Sequence, residues 1–265
     1  MKVPFYKYEG AGNDFIIIDQ IADLLQDLFT EKDISFLCNR RFGIGADGLM
    51  LIKNHFEYDF EMVYYNSDGK QGTMCGNGGR CLVAYAARKG IAGETAIFTA
   101  ADGPHKATVV DVKGNNSLIS LQMRDVDKIE DTKHGLFLDT GSPHLVIFEK
   151  DLALVNVFNQ GKELRHAPEF KPGGTNVNFA EVKDNHIYIR TFERGVENET
   201  LACGTGVTAV AMAAHYSGLL DQNTINVSAR GGDLKVSFEN HQKGKYRNVW
   251  LEGPAKLVFK GEIDL

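Results

Sequence analysis

The sequence has little that would commit it to a membrane, to nucleic acid or to a disulfide framework. No apolar run approaches the roughly 20 residues that a helix needs to cross a bilayer. The opening stretch Met1-Lys2-Val3-Pro4-Phe5-Tyr6-Lys7-Tyr8-Glu9 also lacks an apolar core of signal-peptide length. No membrane partner and a cytoplasmic location are expected. Lys and Arg never gather beyond a pair such as Arg40-Arg41, and a net charge of -6 repels a phosphate backbone, so no nucleic-acid partner is expected either. Four cysteines, Cys38, Cys75, Cys81 and Cys203, are too few for a disulfide framework in 265 residues, and none of their spacings is the Cys-x-x-Cys of a zinc knuckle. Reduced thiols and no metal site follow. Two glycine patterns, Gly43-Ile44-Gly45-Ala46-Asp47-Gly48 and Gly204-Thr205-Gly206-Val207-Thr208-Ala209, fit dinucleotide fingerprints by spacing alone. Context removes both: the first leads into a strand, and no acidic residue ends a strand after the second.

What the chain does have is apolar material, 43% of its residues, for one large domain or two ordinary ones. It also has a cysteine motif that occurs twice. Cys203-Gly204-Thr205-Gly206 precedes Val207-Thr208-Ala209-Val210-Ala211-Met212-Ala213-Ala214, and Cys75-Gly76-Asn77-Gly78 precedes Leu82-Val83-Ala84-Tyr85-Ala86-Ala87. Each pattern predicts a thiol at the first turn of a helix, where backbone N–H groups lack intrahelical partners and the helix dipole is positive. Such a site lowers a thiol pKa and can dock a carboxylate.

The two motifs belong to a longer repeat. Gly12 matches Gly141, Gly45 matches Gly174, Gly103 matches Gly232 and Lys106 matches Lys235, all 129 residues apart, while Cys75 and Cys203 are 128 apart. Predicted strands keep the same order in both halves: Ile16-Ile17-Ile18 answers to Leu145-Val146-Ile147, and Phe60 to Tyr65 answers to His186 to Phe192. Thr30-Glu31-Lys32-Asp33 has capping-box spacing and predicts a short helix through Cys38. Each cysteine helix is apolar all round and must be buried. The expected fold is α+β, with two pseudo-symmetric domains from an internal duplication. Each is a mainly antiparallel sheet or barrel wrapped around a central helix, with the active site in the cleft between them. The expected boundaries are 1–122 for the N-terminal half and 123–255 for the C-terminal half.

Two thiols at matching helix starts point to a two-base reaction. One thiolate removes a proton from a carbon and the other thiol returns a proton to the opposite face, so that Cys75 and Cys203 exchange the roles of base and acid with direction. The carbanion forms beside a carboxylate, which the N–H groups of Gly76, Asn77, Gly204 and Thr205 would stabilise, and the scheme needs no cofactor. His144 and Glu193 are candidates for tuning the thiols, and Arg194 for holding a substrate carboxylate. Cys38 and Cys81, inside predicted helices, read as packing residues.

Gly-Asn-Asp-Phe at 12 to 15, Asn-Ser-Asp-Gly at 66 to 69, Met-Cys-Gly-Asn-Gly at 74 to 78, Gly-Ser-Pro-His at 141 to 144, Asn-Val-Asn-Phe at 176 to 179, Glu-Arg-Gly at 193 to 195 and Ala-Cys-Gly-Thr-Gly at 202 to 206 resemble diaminopimelate epimerase along nearly the whole chain. The resemblance implies interconversion of LL- and meso-diaminopimelate without pyridoxal phosphate, in lysine and cell-wall precursor synthesis. It implies Cys75 and Cys203 as the acid/base pair, supported by His144 and Glu193. Gly76, Asn77, Gly204 and Thr205 would hold the reacting carboxylate, and Asn13, Asn66, Asn176, Glu193 and Arg194 the amino groups and distal end. It further implies a homodimer and a last strand, about 256–265, that returns to the first half. Ser142 stands where some members carry Asn. Two alternatives remain at this stage: a proline racemase-like isomerase of the same duplicated architecture, whose single carboxylate would not need Arg194, and a non-catalytic amino-acid binder, which would not need thiols at both helices.

Overall fold

A computed structural model describes residues 2–22 and 29–264 and divides the chain into two units, Met1–Leu121 with Gly253–Leu265, and Gln122–Glu252. Among the described residues no helix is long and apolar enough to cross a membrane.

In the first unit, strands β1 (Lys2–Gly10), β2 (Asn13–Gln20), β3 (Gly48–Lys53), β4 (Phe60–Asn66), β5 (Thr95–Ala100), β6 (Gly103–Lys113) and β7 (Asn116–Gln122) pair in chain order. Residues 253–264 pair with β7 on one side and with β1 on the other, closing an eight-stranded barrel. β2–β3 and β4–β5 are parallel and the remaining pairs antiparallel. Helix α1 (Glu31–Cys38) begins with the expected capping box, in which Thr30 Oγ1 accepts from the Asp33 amide and the Asp33 side chain accepts from the Thr30 amide. Helix α2 (Gly76–Lys89) is buried from Asn77 to Ala86, and Gly90 ends it in the left-handed conformation, at φ 70°, where glycine carries no steric penalty.

The continuous run Ile16-Ile17-Ile18 is explained by this layering. Ile16 and Ile18 pack with Ile34 and Leu37 of α1, while Ile17 projects to the other face, the side from which α2 contacts β2. A strand covered on both faces needs no polar alternation. Each such isoleucine contributes on the order of 1.5–3 kcal/mol by leaving water.

The second unit repeats the pattern with β8 (Glu130–Thr132), β9 (Gly135–Asp139), β10 (Pro143–Phe148), β11 (Asn176–Lys183), β12 (His186–Glu193), β13 (Asn198–Thr200), β14 (Thr224–Ala229), β15 (Gly232–Gln242) and β16 (Lys245–Asp264), whose first part serves this unit and whose remainder is the closing strand of the first. The order is β8-β9-β10-β11-β12-β14-β15-β16, and β13 pairs separately with β12. Val126 bridges Tyr246 at the open edge. The parallel pairs, β10–β11 and β12–β14, fall where the first unit has its own. Helix α3 (Val157–Arg165) packs on β11 and β12, and helix α4 (Gly204–Tyr216) is buried from Gly206 to Ala214. The fold is thus two-fold duplicated, mainly antiparallel and built on a central helix in each unit.

Among the elements that the sequence reading does not name are β1 and α3. β1 carries Lys7 on its buried side, only 6% exposed, which breaks the apolar alternation. α3 is nine residues long and buries only Val157 and Gly161, too few for a clear helical period.

Candidate active site

Cys75 and Cys203 are the N-cap residues of α2 and α4, with extended backbone (φ −109°, ψ 118° and φ −124°, ψ 110°). Their carbonyls accept the first helical bonds, from Gly79 N at 2.7 Å and Val207 N at 2.8 Å. Both are partly exposed, whereas Cys38 and Cys81 are buried. Burial pushes the Cys81 thiol far above its ordinary range, so it is chemically inert at neutral pH. Gly76 and Asn77 follow Cys75 as the first helical residues of α2, and Gly204 and Thr205 do the same in α4. Their amides are among the four that no intrahelical carbonyl can satisfy.

Around Cys203 the second unit gathers Ser142, His144, Asn176, Asn178 and Thr205. His144 Nε2 lies 2.9 Å from Thr205 Oγ1 and 3.0 Å from Ser142 Oγ, and Thr205 Oγ1 lies 3.4 Å from Cys203 Sγ. On the other side of the ring, Asn178 Nδ2 is 3.1 Å from His144 Nδ1. That amide cannot be turned round, because its Nδ2 also donates to the Leu145 carbonyl at 3.0 Å and its Oδ1 accepts from Thr191 Oγ1 at 3.0 Å. Nδ1 is therefore an acceptor, and the network assigns the ring proton to Nε2. His144 is fully buried, and burial, with the positive charge of Arg194, holds its pKa down to about 3. It is a neutral donor within reach of Thr205 and Ser142, and the Thr205 hydroxyl in turn lies 3.2 Å from Ser142 Oγ and within hydrogen-bond reach of the Cys203 sulfur.

Asn176 joins three segments. Its Nδ2 donates to Pro143 O at 3.0 Å and to Ser142 Oγ at 3.3 Å, and its Oδ1 accepts from Arg194 N at 2.8 Å. Glu193 ends β12 and pairs with Asn198 across a turn closed by Glu197 N to Glu193 O at 2.8 Å. Glu197, at φ 57°, accepts from Gly195 N at 3.1 Å and pairs with Arg165 Nε at 3.1 Å and His166 Nε2 at 3.2 Å. Arg165 also donates to Gly173 O at 3.0 Å. The loop carrying Arg194 is therefore tied to the end of α3, and Arg194 lines an open cavity of about 700 Å³ with Phe137, Pro143, Phe170 and Lys171.

Around Cys75 the first unit has a different set. Asn77 Nδ2 donates to Asn13 Oδ1 at 2.7 Å, and Asn13 Nδ2 donates to Asp47 Oδ2 at 2.9 Å. Arg80 Nη2 donates to Asn77 Oδ1 at 2.8 Å. Beyond Asn13, Arg40 grips Asp14 through two bonds of 2.7 and 2.8 Å, and Lys7 pairs with Asp14 at 2.8 Å and donates to Gly45 O. Burial alone would raise the Asp14 carboxyl, but bonds from Arg40 and Lys7 hold it well below the usual carboxylate range. Asn66 is exposed at the end of β4, where its amide bonds to Lys70 O at 2.9 Å.

Of the predicted residues, Asn13, Gly76 and Asn77 thus gather at Cys75, and His144, Asn176, Arg194, Gly204 and Thr205 at Cys203. Asn178 and Arg80 were not foreseen. Asn178 was within reach, because residues 176 and 178 share a face of one strand. Arg80 had a plainer signal: an arginine five residues after a cysteine, in a stretch from Gly78 to Ala87 otherwise free of charged residues.

The sequence model of the diaminopimelate epimerase family matches residues 5–129 and 136–258. A diaminopimelate epimerase of Flavobacterium psychrophilum is 47% identical over 259 residues, covering 97% of this chain and 99% of its own. Among solved structures, a Bacillus anthracis phenazine biosynthesis protein of the PhzF family superposes with a TM-score of 0.76 over the full length of both chains at 12% identity. A probable proline racemase of Agrobacterium radiobacter superposes with a TM-score of 0.69 at 15% identity, covering 99% of this chain and 93% of the other. These last two share the architecture only.

Proposed function

The chain belongs to the diaminopimelate epimerase family, and from that membership we infer an isomerase that interconverts LL- and meso-diaminopimelate in lysine biosynthesis, with Cys75 and Cys203 as its two proton-transfer groups. The observation that carries the cysteine scheme is that each unit's buried central helix has a partly exposed cysteine as its N-cap. In one direction a thiolate takes the α-proton, the electron pair passes into the adjacent carboxylate, and the other thiol gives a proton to the opposite face. The sulfurs end with exchanged protonation states, and in the reverse direction their roles are exchanged.

The amides of Gly76, Asn77, Gly204 and Thr205 hold the carboxylate as its charge grows, when a donor that needs no reorganisation contributes most. Neutral His144 acts through Thr205 as a hydrogen-bond donor that favours the thiolate of Cys203. Arg194 takes the distal carboxylate, while Asn13, Asn66, Asn176 and Glu193 serve the amino groups and the distal end. The proposal extends to a cytoplasmic homodimer, for which sedimentation equilibrium should return twice the chain mass.

The test is α-proton exchange in deuterium oxide with no added cofactor. In initial turnover the inverted product should carry solvent deuterium while recovered substrate keeps protium. Product that retains its original proton would sink the two-base scheme. Cys75→Ser and Cys203→Ser should each lower kcat by roughly 10²–10⁴ in folded protein, and full activity in either removes that cysteine from the mechanism.

A further inference from the structure

The duplication lets the two helix starts be compared residue by residue. At the offset that matches Cys75 with Cys203, Asn77 answers to Thr205 and Arg80 to Thr208. In both units the side chain two residues after the cysteine accepts a hydrogen bond from a buried donor. In the second unit the donor is His144 of β10, 2.9 Å from Thr205 Oγ1. The first unit has Phe15 at the position matching His144, and no donor can come from it. There the donor is Arg80, on α2 itself, 2.8 Å from Asn77 Oδ1. Arg80 Nη1 also reaches back to Gly76 O at 3.5 Å, while Thr208 Oγ1 reaches the corresponding Gly204 O at 2.9 Å.

Two consequences follow from the chemistry of a guanidinium. It can only donate, and the carboxylate of Asp47 at the far end can only accept. Between them, Asn77 and Asn13 have a single orientation: Arg80 to Asn77, Asn77 to Asn13 at 2.7 Å, Asn13 to Asp47 at 2.9 Å. The second consequence is charge. Arg80 is fully buried, and its Nε has no acceptor among the described residues. A cation so placed is costly unless an anion faces it. The ionisable groups whose charge acts on it are Glu9 of β1, the N-cap thiol of Cys75 and the thiol of Cys81 on α2. Glu9 Oε1 is engaged by Gly12 N at 2.9 Å, and burial keeps Cys81 protonated. Glu9 therefore supplies a standing negative charge, and the Cys75 thiolate adds a second that forms only during turnover.

We propose that Arg80 is a positioning residue of the epimerisation site, on the reading of that site given above: its fork holds Asn77 and Asn13 in one orientation, and its charge gives Cys75 a cationic neighbour that Cys203 lacks at Thr208. The two thiols are then supported differently, Cys75 by a buried cation and Cys203 by neutral donors.

Alkylation by iodoacetamide across pH, with the Cys75 and Cys203 peptides followed separately by mass spectrometry, tests this without reference to turnover. Arg80→Met should raise the Cys75 midpoint by about one pH unit while leaving the Cys203 profile in place as an internal control of folding. Arg80→Lys should keep the Cys75 midpoint near its native value yet raise KM several-fold, since an ammonium keeps the charge and loses the fork. An unmoved Cys75 midpoint in Arg80→Met, or equal shifts at both thiols, overturns the proposal. Should Arg80→Met fail to fold, native KM and kcat in Arg80→Lys overturn it. Absence of α-proton exchange on diaminopimelate in the native protein would instead defeat the substrate reading, and the alkylation profiles would still report on Arg80.

Discussion

The Asn178 amide lies 3.1 Å from His144 Nδ1 and is itself fixed by the Leu145 carbonyl and the Thr191 hydroxyl, so the imidazole is held neutral in one tautomer. Its pKa is about 3 in the folded protein, against ~6.5 in the unfolded chain. Between these values the unfolded chain binds a proton that the folded one refuses. The contribution is therefore complete above pH 6.5 and is lost as pH falls toward 3. On replacing His144 with Gln, the stability difference between pH 6.5 and pH 4.5 should shrink by about 2 kcal/mol in urea titrations. An unchanged difference would show that His144 is protonated in the fold.

Gly206 and Gly76 should respond oppositely to alanine. A Cβ on Gly206 would sit 2.5 Å from Asn178 Oδ1 and 3.4 Å from His144 Cε1, whereas one on Gly76 meets only Leu121 Cδ2 at 3.9 Å. Gly206→Ala gains helix propensity of up to ~1 kcal/mol but displaces the amide that fixes His144. Its kcat should fall at least tenfold, while Gly76→Ala melts at or above the native temperature. Equal activities in Gly206→Ala and the native protein would contradict the tautomer assignment.

Glu197 governs Arg194 from the far side of its turn. Glu197→Gln weakens the bonds to Arg165 and His166 without changing the side chain's shape. Exposed pairs contribute little to stability, so the melting temperature should move by no more than a degree or two. KM for diaminopimelate should rise several-fold with kcat nearly constant, because uniform binding is what a loosened Arg194 loses. A fall in kcat at constant KM would place the loop's role in the chemical step instead.

Asp14 lies between Lys7 and Arg40, and Lys7 is almost wholly buried. Asp14→Asn leaves that ammonium with neutral oxygen acceptors in place of its paired carboxylate, which should cost about 3 kcal/mol. The double variant Lys7→Met/Asp14→Asn should be less destabilised than the single one, as a double-mutant cycle by chemical denaturation would record. Additive losses would mean that the two groups do not depend on each other.

Much of this arrangement is legible in the chain because duplication writes it twice. The glycines and cysteines at a nearly constant offset give the two halves and the two central helices, since a helix start and a tight turn each demand particular residue types at particular places. The Thr30-Asp33 capping box is equally local and appears as read. What escaped depends on three-dimensional partners. Lys7 on β1 is an inward-facing charge tolerated only because Asp14 meets it from the next strand. Arg80 is a charge inside an apolar helix whose acceptor, Asn77, is nearby in sequence but whose meaning lies in Asn13 and Asp47. From the sequence His144 is only a candidate for tuning a thiol; that it stays neutral and in one tautomer depends on its burial and on the Asn178 amide of the neighbouring β11.

The closing strand of the first barrel has a bearing on biosynthesis. Lys2 pairs with Asp264, and Ile119 with Gly253. Every strand of the second unit has been made once Glu252 has been added, whereas the first unit must wait for the residues that follow. On the ribosome the first unit is therefore completed after the second, and its barrel remains a seven-stranded sheet with two open edges until residues 253–264 have been made. Unpaired edges of that kind can recruit foreign strands, so the interval between the synthesis of Glu252 and that of residues 253–264 leaves the first unit open to such pairing.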